Sequence, residues 1–136
     1  MTGARRPSVS TGPEYVLDAS ALIALVRREP GWEKVAEIID RSTISAVNLA
    51  EAVAKLIQKG GAREAVERVL DGLRLNVADW TERLAYDSAE FAPLAWERGL
   101  SLGDRACLTL ARRKEAIAVT ADHSWEGLPV TVLTIR

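Results

Sequence analysis

One carboxylate set inside an apolar run constrains this chain more than any other feature. In Val16-Leu17-Asp18-Ala19-Ser20-Ala21-Leu22-Ile23-Ala24-Leu25, the segment Tyr15 to Leu17 has the β-propensity and unbroken hydrophobicity of a strand buried on both faces. Ala19 to Arg28 has the Ala and Leu content of a helix. Asp18 is thus a strand-to-helix junction, and in open α/β folds that junction lies at the carboxyl edge of the sheet, where ligands bind. The same residue is also a good N-cap, an acceptor for backbone N–H groups at a helix start. Both roles stay open at this point.

The rest of the chain repeats the alternation. Trp32 to Asp40 reads as a second helix with Val35, Ala36, Ile38 and Ile39 apolar, and Thr43-Ile44-Ser45 as a short β-branched strand. Ala46 to Lys59 follows helical spacing through Ala46, Leu49, Ala50, Val53 and Ile57 and is stopped by Gly60-Gly61. A helix from Ala62 to about Leu73, a strand at Leu75-Asn76-Val77 and a longer helix from Thr81 to Trp96 come next, with Pro93 expected to kink or end the last. Ser101 to Arg113 reads as a helix, and Ala118 to Thr120 and Val130 to Ile135 as strands. Strands separated by helices imply an α/β fold with a parallel sheet and helices on both faces. At 136 residues the chain fits one domain, residues 14–136, preceded by a polar tail at 1–13 expected to be flexible.

Composition limits the chemistry. A single histidine, His123, and a single cysteine, Cys107, exclude metal sites built from several His or Cys ligands, so any metal must take oxygen donors. Cys107 reads as a small core residue. No apolar run approaches the roughly 20 residues needed to span a membrane, and Met1 to Pro13 lacks the apolar core of a secretory signal, so a cytoplasmic location is expected. Nineteen acids against eighteen bases leave no global basic excess, so any contact with a nucleic acid would have to be local. Arg27-Arg28 and Arg112-Arg113-Lys114 are candidate phosphate contacts, or solvated partners of helix C-termini. The four tryptophans are too dispersed for a stacking platform and read as anchors of a core or interface.

Four acids stand where chemistry would need them, and each also has a plain structural role. Asp104 completes a capping-box pattern with Ser101. Asp122 follows a strand as Asp18 does, in a segment suited to an Asx turn. Glu51 lies off the apolar stripe of its helix, four residues ahead of Lys55. If the four converge at one sheet edge, their repulsion calls for a divalent cation with oxygen ligands, Mg²⁺ or Mn²⁺, and such a site suits phosphoryl transfer.

Four segments then resemble a known family: Val16-Leu17-Asp18-Ala19-Ser20-Ala21-Leu22, Ile44 to Glu51, Leu100-Ser101-Leu102-Gly103-Asp104-Arg105-Ala106-Cys107-Leu108, and Val119-Thr120-Ala121-Asp122. In this order they resemble a PIN-domain ribonuclease of the VapC toxin type. The resemblance implies a PIN-like three-layer fold, with a central parallel sheet of four to five strands. It implies a metal-dependent endoribonuclease using Mg²⁺ or Mn²⁺, with Asp18, Glu51, Asp104 and Asp122 as catalytic and metal-binding residues and Ser20 as a supporting hydroxyl. It further implies an RNA substrate, a homodimer and a cognate antitoxin protein. His123 departs from the family pattern, where many relatives carry Arg, whereas Trp125 is kept. A receiver domain would need paired acids after its first strand and a late Lys, and a haloacid-dehalogenase-type phosphatase would need an acid where Ser20 stands. The rival from another class is a catalytically inactive PIN-like module that binds RNA or protein, against which the presence of all four acids argues.

Overall fold

In the computed structural model, which describes residues 12–136, all five strands run parallel. The elements are β1 (Tyr15–Leu17), α1 (Ala19–Arg27), α2 (Trp32–Ile38), β2 (Ser42–Ser45), α3 (Ala46–Gln58), α4 (Arg63–Leu73), β3 (Asn76–Ala78), α5 (Glu82–Ser88), α6 (Ala92–Arg98), α7 (Leu102–Lys114), β4 (Ile117–Thr120) and β5 (Val132–Thr134). The expected tail lies, for residues 1–11, outside the described residues.

The sheet order is β3-β2-β1-β4-β5. The chain moves outward from β1 to β3 and then returns to the other side of β1, so the topological switch falls between β1 and β4, the crevice where parallel sheets take ligands. Registers of Leu17 with Val119 and of Leu17 with Ile44 align the carboxyl ends of the three central strands. Alternation along the strands divides the core between two faces. Leu17, Ile44 and Val119 join residues of α1, α2, α3 and α4, while Val16 and Ala118 pack with Phe91, Leu108, Trp125 and other side chains of the α5 to α7 side. Cys107 is buried in this second layer, as its small apolar character implies. Trp125 is fully buried, whereas Trp96 is 83% exposed and lies outside the core of the described residues.

Two expectations need correction. The buried residues of α3 are Asn48, Ala52 and Leu56, whereas Ala50 is exposed and Ile57 is 40% exposed. The helix is rotated from the expected stripe because it meets α1, α4 and α7 at once, and burial follows the tertiary neighbours rather than the apolar spacing alone. The long helix expected from Thr81 to Trp96 is two helices joined by a 3-10 turn, Ala89–Phe91. Pro93 cannot tolerate the carbonyl of Ala89 four residues back, so the break precedes it and Pro93 sits in the first turn of α6. Among the described residues no helix is long and apolar enough to cross a membrane.

Candidate active site

Asp18 leaves β1 and caps α1. Its backbone N–H still donates to Val119 in the sheet at 3.0 Å, and its side chain then turns to the helix, where Oδ1 accepts from the Ala21 N–H at 2.9 Å. The Ser20 hydroxyl donates to the same oxygen at 2.7 Å, and the Thr120 hydroxyl, from the end of β4, donates to Oδ2 at 2.6 Å. The carboxylate is 7% exposed. Hydrogen bonds to a charged acceptor contribute about 1.5–3 kcal/mol each, yet the net shift of Asp18 is upward. Burial is the largest cause, the three donors pull the other way, and the negative charge of Asp104 adds to the rise.

The donors are themselves braced. Ser20 Oγ accepts from the Ala121 N–H at 2.9 Å, and Thr120 Oγ1 accepts from the Asp122 N–H at 3.0 Å. The ends of β1 and β4 are thus knitted together at the switch point. Thr120 is fully buried and sits in this network only because of the β1–β4 register, a non-local fact that its β-branched neighbours in sequence do not announce.

Glu51 projects from α3. Its Oε1 accepts from the Asn48 amide at 3.2 Å, and the same amide donates to the Gly103 carbonyl at 3.0 Å. Glu51 is raised above its ordinary value of 4.5, first by burial and then by Asp104, with a smaller contribution from Asp18, while Asn48 and Lys55 oppose the rise. Asp104 lies in the first turn of α7. The capping box is complete: the Ser101 N–H donates to Asp104 Oδ2 at 2.9 Å, and the Asp104 N–H to Ser101 Oγ at 3.1 Å. Gly103 beside it is buried, and a Cβ there would strike the Glu51 carboxylate.

Asp18, Glu51 and Asp104 therefore come from three elements into one electrostatic neighbourhood, and they also raise the buried Cys107 thiol, though burial is the larger cause. Asp122 does not figure among the charges acting on Asp18 or Glu51. Its Oδ1 accepts from the Ser124 N–H at 2.8 Å, the Asx-type turn that its sequence context suggested. Among the described residues, no three His, Cys, Asp or Glu side chains converge closely enough to hold one ion. The donor set is nevertheless all oxygen, and its mutual repulsion and raised carboxylates are what a hard divalent cation relieves. The charges suit such an ion, and Asp104 and Asp122 each engage one carboxylate oxygen with a backbone N–H.

The basic clusters stand elsewhere. Arg112, Arg113 and Lys114 close α7 at the end away from Asp104, about 1.5 Å per residue along the helix, and pair with Glu90, Asp87 and Glu14. Arg27 ends α1, pairing with Glu29, and Arg28 stacks on Trp32 at 4.3 Å. These are helix-end partners rather than neighbours of the acids. A groove of about 410 Å³ between α3, α4 and β3 is lined by Leu49, Val53, Val66, Leu70 and other residues and includes none of the four acids.

A parallel sheet in this order, with an acid at the switch point and two more on adjoining helices, defines a class: an α/β domain with acids gathered at the carboxyl edge. The PIN-domain family matches residues 15–129, and the chain belongs to that family. Solved structures of similar fold include a DNA-bound VapBC from Salmonella typhimurium, 19% identical with a TM-score of 0.71, covering 92% of this chain and 100% of that one. A toxin-antitoxin complex from Klebsiella pneumoniae is 20% identical, TM-score 0.70, with 90% and 98% covered. The sarcin-ricin loop cleaving toxin VapC20 from Mycobacterium tuberculosis is 20% identical, TM-score 0.69, with 87% and 97% covered. No curated protein sequence matches the chain.

Proposed function

We propose that the chain is a divalent-metal-dependent endoribonuclease, the toxin of a toxin-antitoxin pair. The observation that carries this reading is the meeting of Asp18, Glu51 and Asp104 in one electrostatic neighbourhood at the switch point of a PIN-family sheet, where burial first, with the charge of Asp104 adding to it, holds Asp18 and Glu51 above their ordinary values. The likeness to a toxin described as cleaving the sarcin-ricin loop, and to toxin-antitoxin complexes, supports RNA as substrate and a small protein antitoxin as partner. A homodimer and a cytoplasmic location belong to the same proposal.

Asp18, Glu51, Asp104 and Asp122 would hold Mg²⁺ or Mn²⁺, with Ser20 in support. When bound, the ion supplies activation of water and neutralisation of the charge that develops on a phosphodiester. The chain's own part is positional. Ser20, Thr120 and the Ala21 N–H keep the Asp18 carboxylate in one orientation and favour its charged form against burial. The capping box fixes the turn that presents Asp104.

One observation favours a second reading, a catalytically inactive PIN-like module that binds RNA or protein: Asp104 and Asp122 are both satisfied as caps. Purified protein incubated with defined RNAs, with and without Mg²⁺ or Mn²⁺, followed by mapping of the ends, separates the two. Metal-dependent cleavage that vanishes in a folded Asp18→Asn variant supports the nuclease; the same weak cleavage in parent and variant leaves the binding module.

A further inference from the structure

Asn48 sits one turn ahead of Glu51 on α3 and is 1% exposed. Burying a primary amide is costly unless its groups are bonded, so the residue type needs a reason. Both amide hydrogens have partners, Glu51 Oε1 and the Gly103 carbonyl. Because both neighbours are acceptors, only one orientation is tolerable: a flipped amide would set Oδ1 against a carboxylate and a carbonyl. That orientation leaves Oδ1 buried without a partner. An apolar side chain of the same size would avoid the orphaned acceptor, so packing alone does not select asparagine here.

Gly103 supplies the other side of the arrangement. Without a Cβ it lets the first turn of α7 lie against the Glu51 carboxylate, and Asp104 follows it directly. The Asn48 amide therefore ties the helix that carries Glu51 to the turn that carries Asp104. A neutral donor also has a chemical advantage over Lys or Arg at this place. It orients the carboxylate without discharging it, and the full negative charge stays available to a cation.

We propose that Asn48 and Gly103 form a seat for the Glu51 carboxylate, with Asn48 as a positioning residue that fixes Glu51 relative to Asp104 for a divalent cation. This rests on the reading of the acids as a cation site, and it adds a residue pair that carries none of the charge.

The test uses the full chain and Mn²⁺ alone, without RNA. Binding is followed by electron paramagnetic resonance titration, and folding by the melting temperature in EDTA. Partners that orient metal ligands typically change affinity by 10–100-fold, so Asn48→Leu, which leaves the Gly103 carbonyl and the Glu51 carboxylate without their donor and should melt lower than the parent in EDTA while still folded, should weaken Mn²⁺ binding by about 10-fold or more. In a Glu51→Gln background the same change should add less than about 2-fold, since the seat then has no carboxylate to hold. Gly103→Ala, which displaces that carboxylate from the other side, should also weaken binding, and it answers the question if Asn48→Leu fails to fold. Unchanged Mn²⁺ affinity in the folded variants, or a loss that persists undiminished beside Glu51→Gln, overturns the seat. If the parent itself binds no Mn²⁺, the cation reading has failed, and the seat is decided by NMR of the labelled protein. The Asn48 side-chain amide signals should then exchange slowly and move in Glu51→Gln; signals that exchange as freely as a solvent-facing amide and ignore that substitution overturn it.

Discussion

The Thr120 hydroxyl donates to Asp18 Oδ2 at 2.6 Å across the parallel pair β1 and β4, the shortest of the three donor contacts to that carboxylate. The two residues are 102 positions apart in sequence, and the hydroxyl also accepts the Asp122 N–H, so one oxygen links both strand-end acids.

Thr120→Val should therefore act on both loops at once. It leaves a buried carboxylate oxygen and a backbone N–H without partners, a loss of about 1–3 kcal/mol at neutral pH by urea denaturation. Since Thr120 is the largest influence lowering Asp18, the variant should push Asp18 further up, and cleavage should fall and require higher pH. Thr120→Ser, which keeps the hydroxyl, should recover most of both. A Val variant with parental stability and pH profile would show that the contact has no consequence.

Asp104→Asn distinguishes repulsion from capping. The asparagine carbonyl can still accept the Ser101 N–H, so most of the cap, typically about 1 kcal/mol, survives while the charge on Glu51 and Asp18 is relieved. In EDTA the variant should melt higher than the parent. Added Mg²⁺ should stabilise the parent by up to about 2.7 kcal/mol at a hundredfold excess over its dissociation constant, and the variant much less. A lower melting point in EDTA, with no response of either protein to Mg²⁺, would mean that the acids cap and do nothing more.

Asp18 was legible because a carboxylate in an apolar run has few explanations, and the strand–helix alternation was enough to place it at the sheet edge. The caps of Asp104 and Asp122 were equally local, three- and two-residue patterns that the structure contains as written. Asn48 and Thr120 were not legible, for related reasons. Asn48 interrupts no local pattern, and its burial depends on the rotation of α3 imposed by its neighbours. Thr120 looks like any β-branched strand residue until the register brings it beside Asp18. Gly103 likewise reads as part of a capping segment, and its need for a missing side chain becomes visible only when Glu51 arrives from α3.

The raised carboxylates set a pH dependence for the metal-free protein. Glu51 titrates above its ordinary 4.5 in the folded state, so the folded protein holds the proton more firmly than the unfolded chain does. The stability gained from that proton is complete below about 4.5 and is lost as pH rises through the folded value. Glu51→Gln mimics the protonated side chain. In EDTA it should melt above the parent at pH 7–8, and the gap should close as pH falls toward about 4.5. Melting followed by circular dichroism across that range checks the sign; a gap that is constant with pH, or one that opens toward acid, rejects it.

Among the four proposed ligands, Asp122 stands apart from the other three. Its charge does not figure in the shifts of Asp18 and Glu51, and its carboxylate is engaged with the Ser124 N–H at 2.8 Å. Asp122→Asn keeps an acceptor for that bond, so the 3-10 turn His123–Trp125 and the burial of Trp125 should be preserved. If Asp122 joins the ion only by leaving its turn, part of its interaction with the cation is spent on breaking the cap. Its removal should then weaken Mn²⁺ binding by less than about 10-fold, against about 10-fold or more for Glu51→Gln, whose carboxylate already feels the charges of the other two acids. Parallel titrations of the two variants decide the ranking. An equal or greater loss for Asp122→Asn would show that the carboxylate at the end of β4 turns inward at little cost, and that all four acids act as one ligand set.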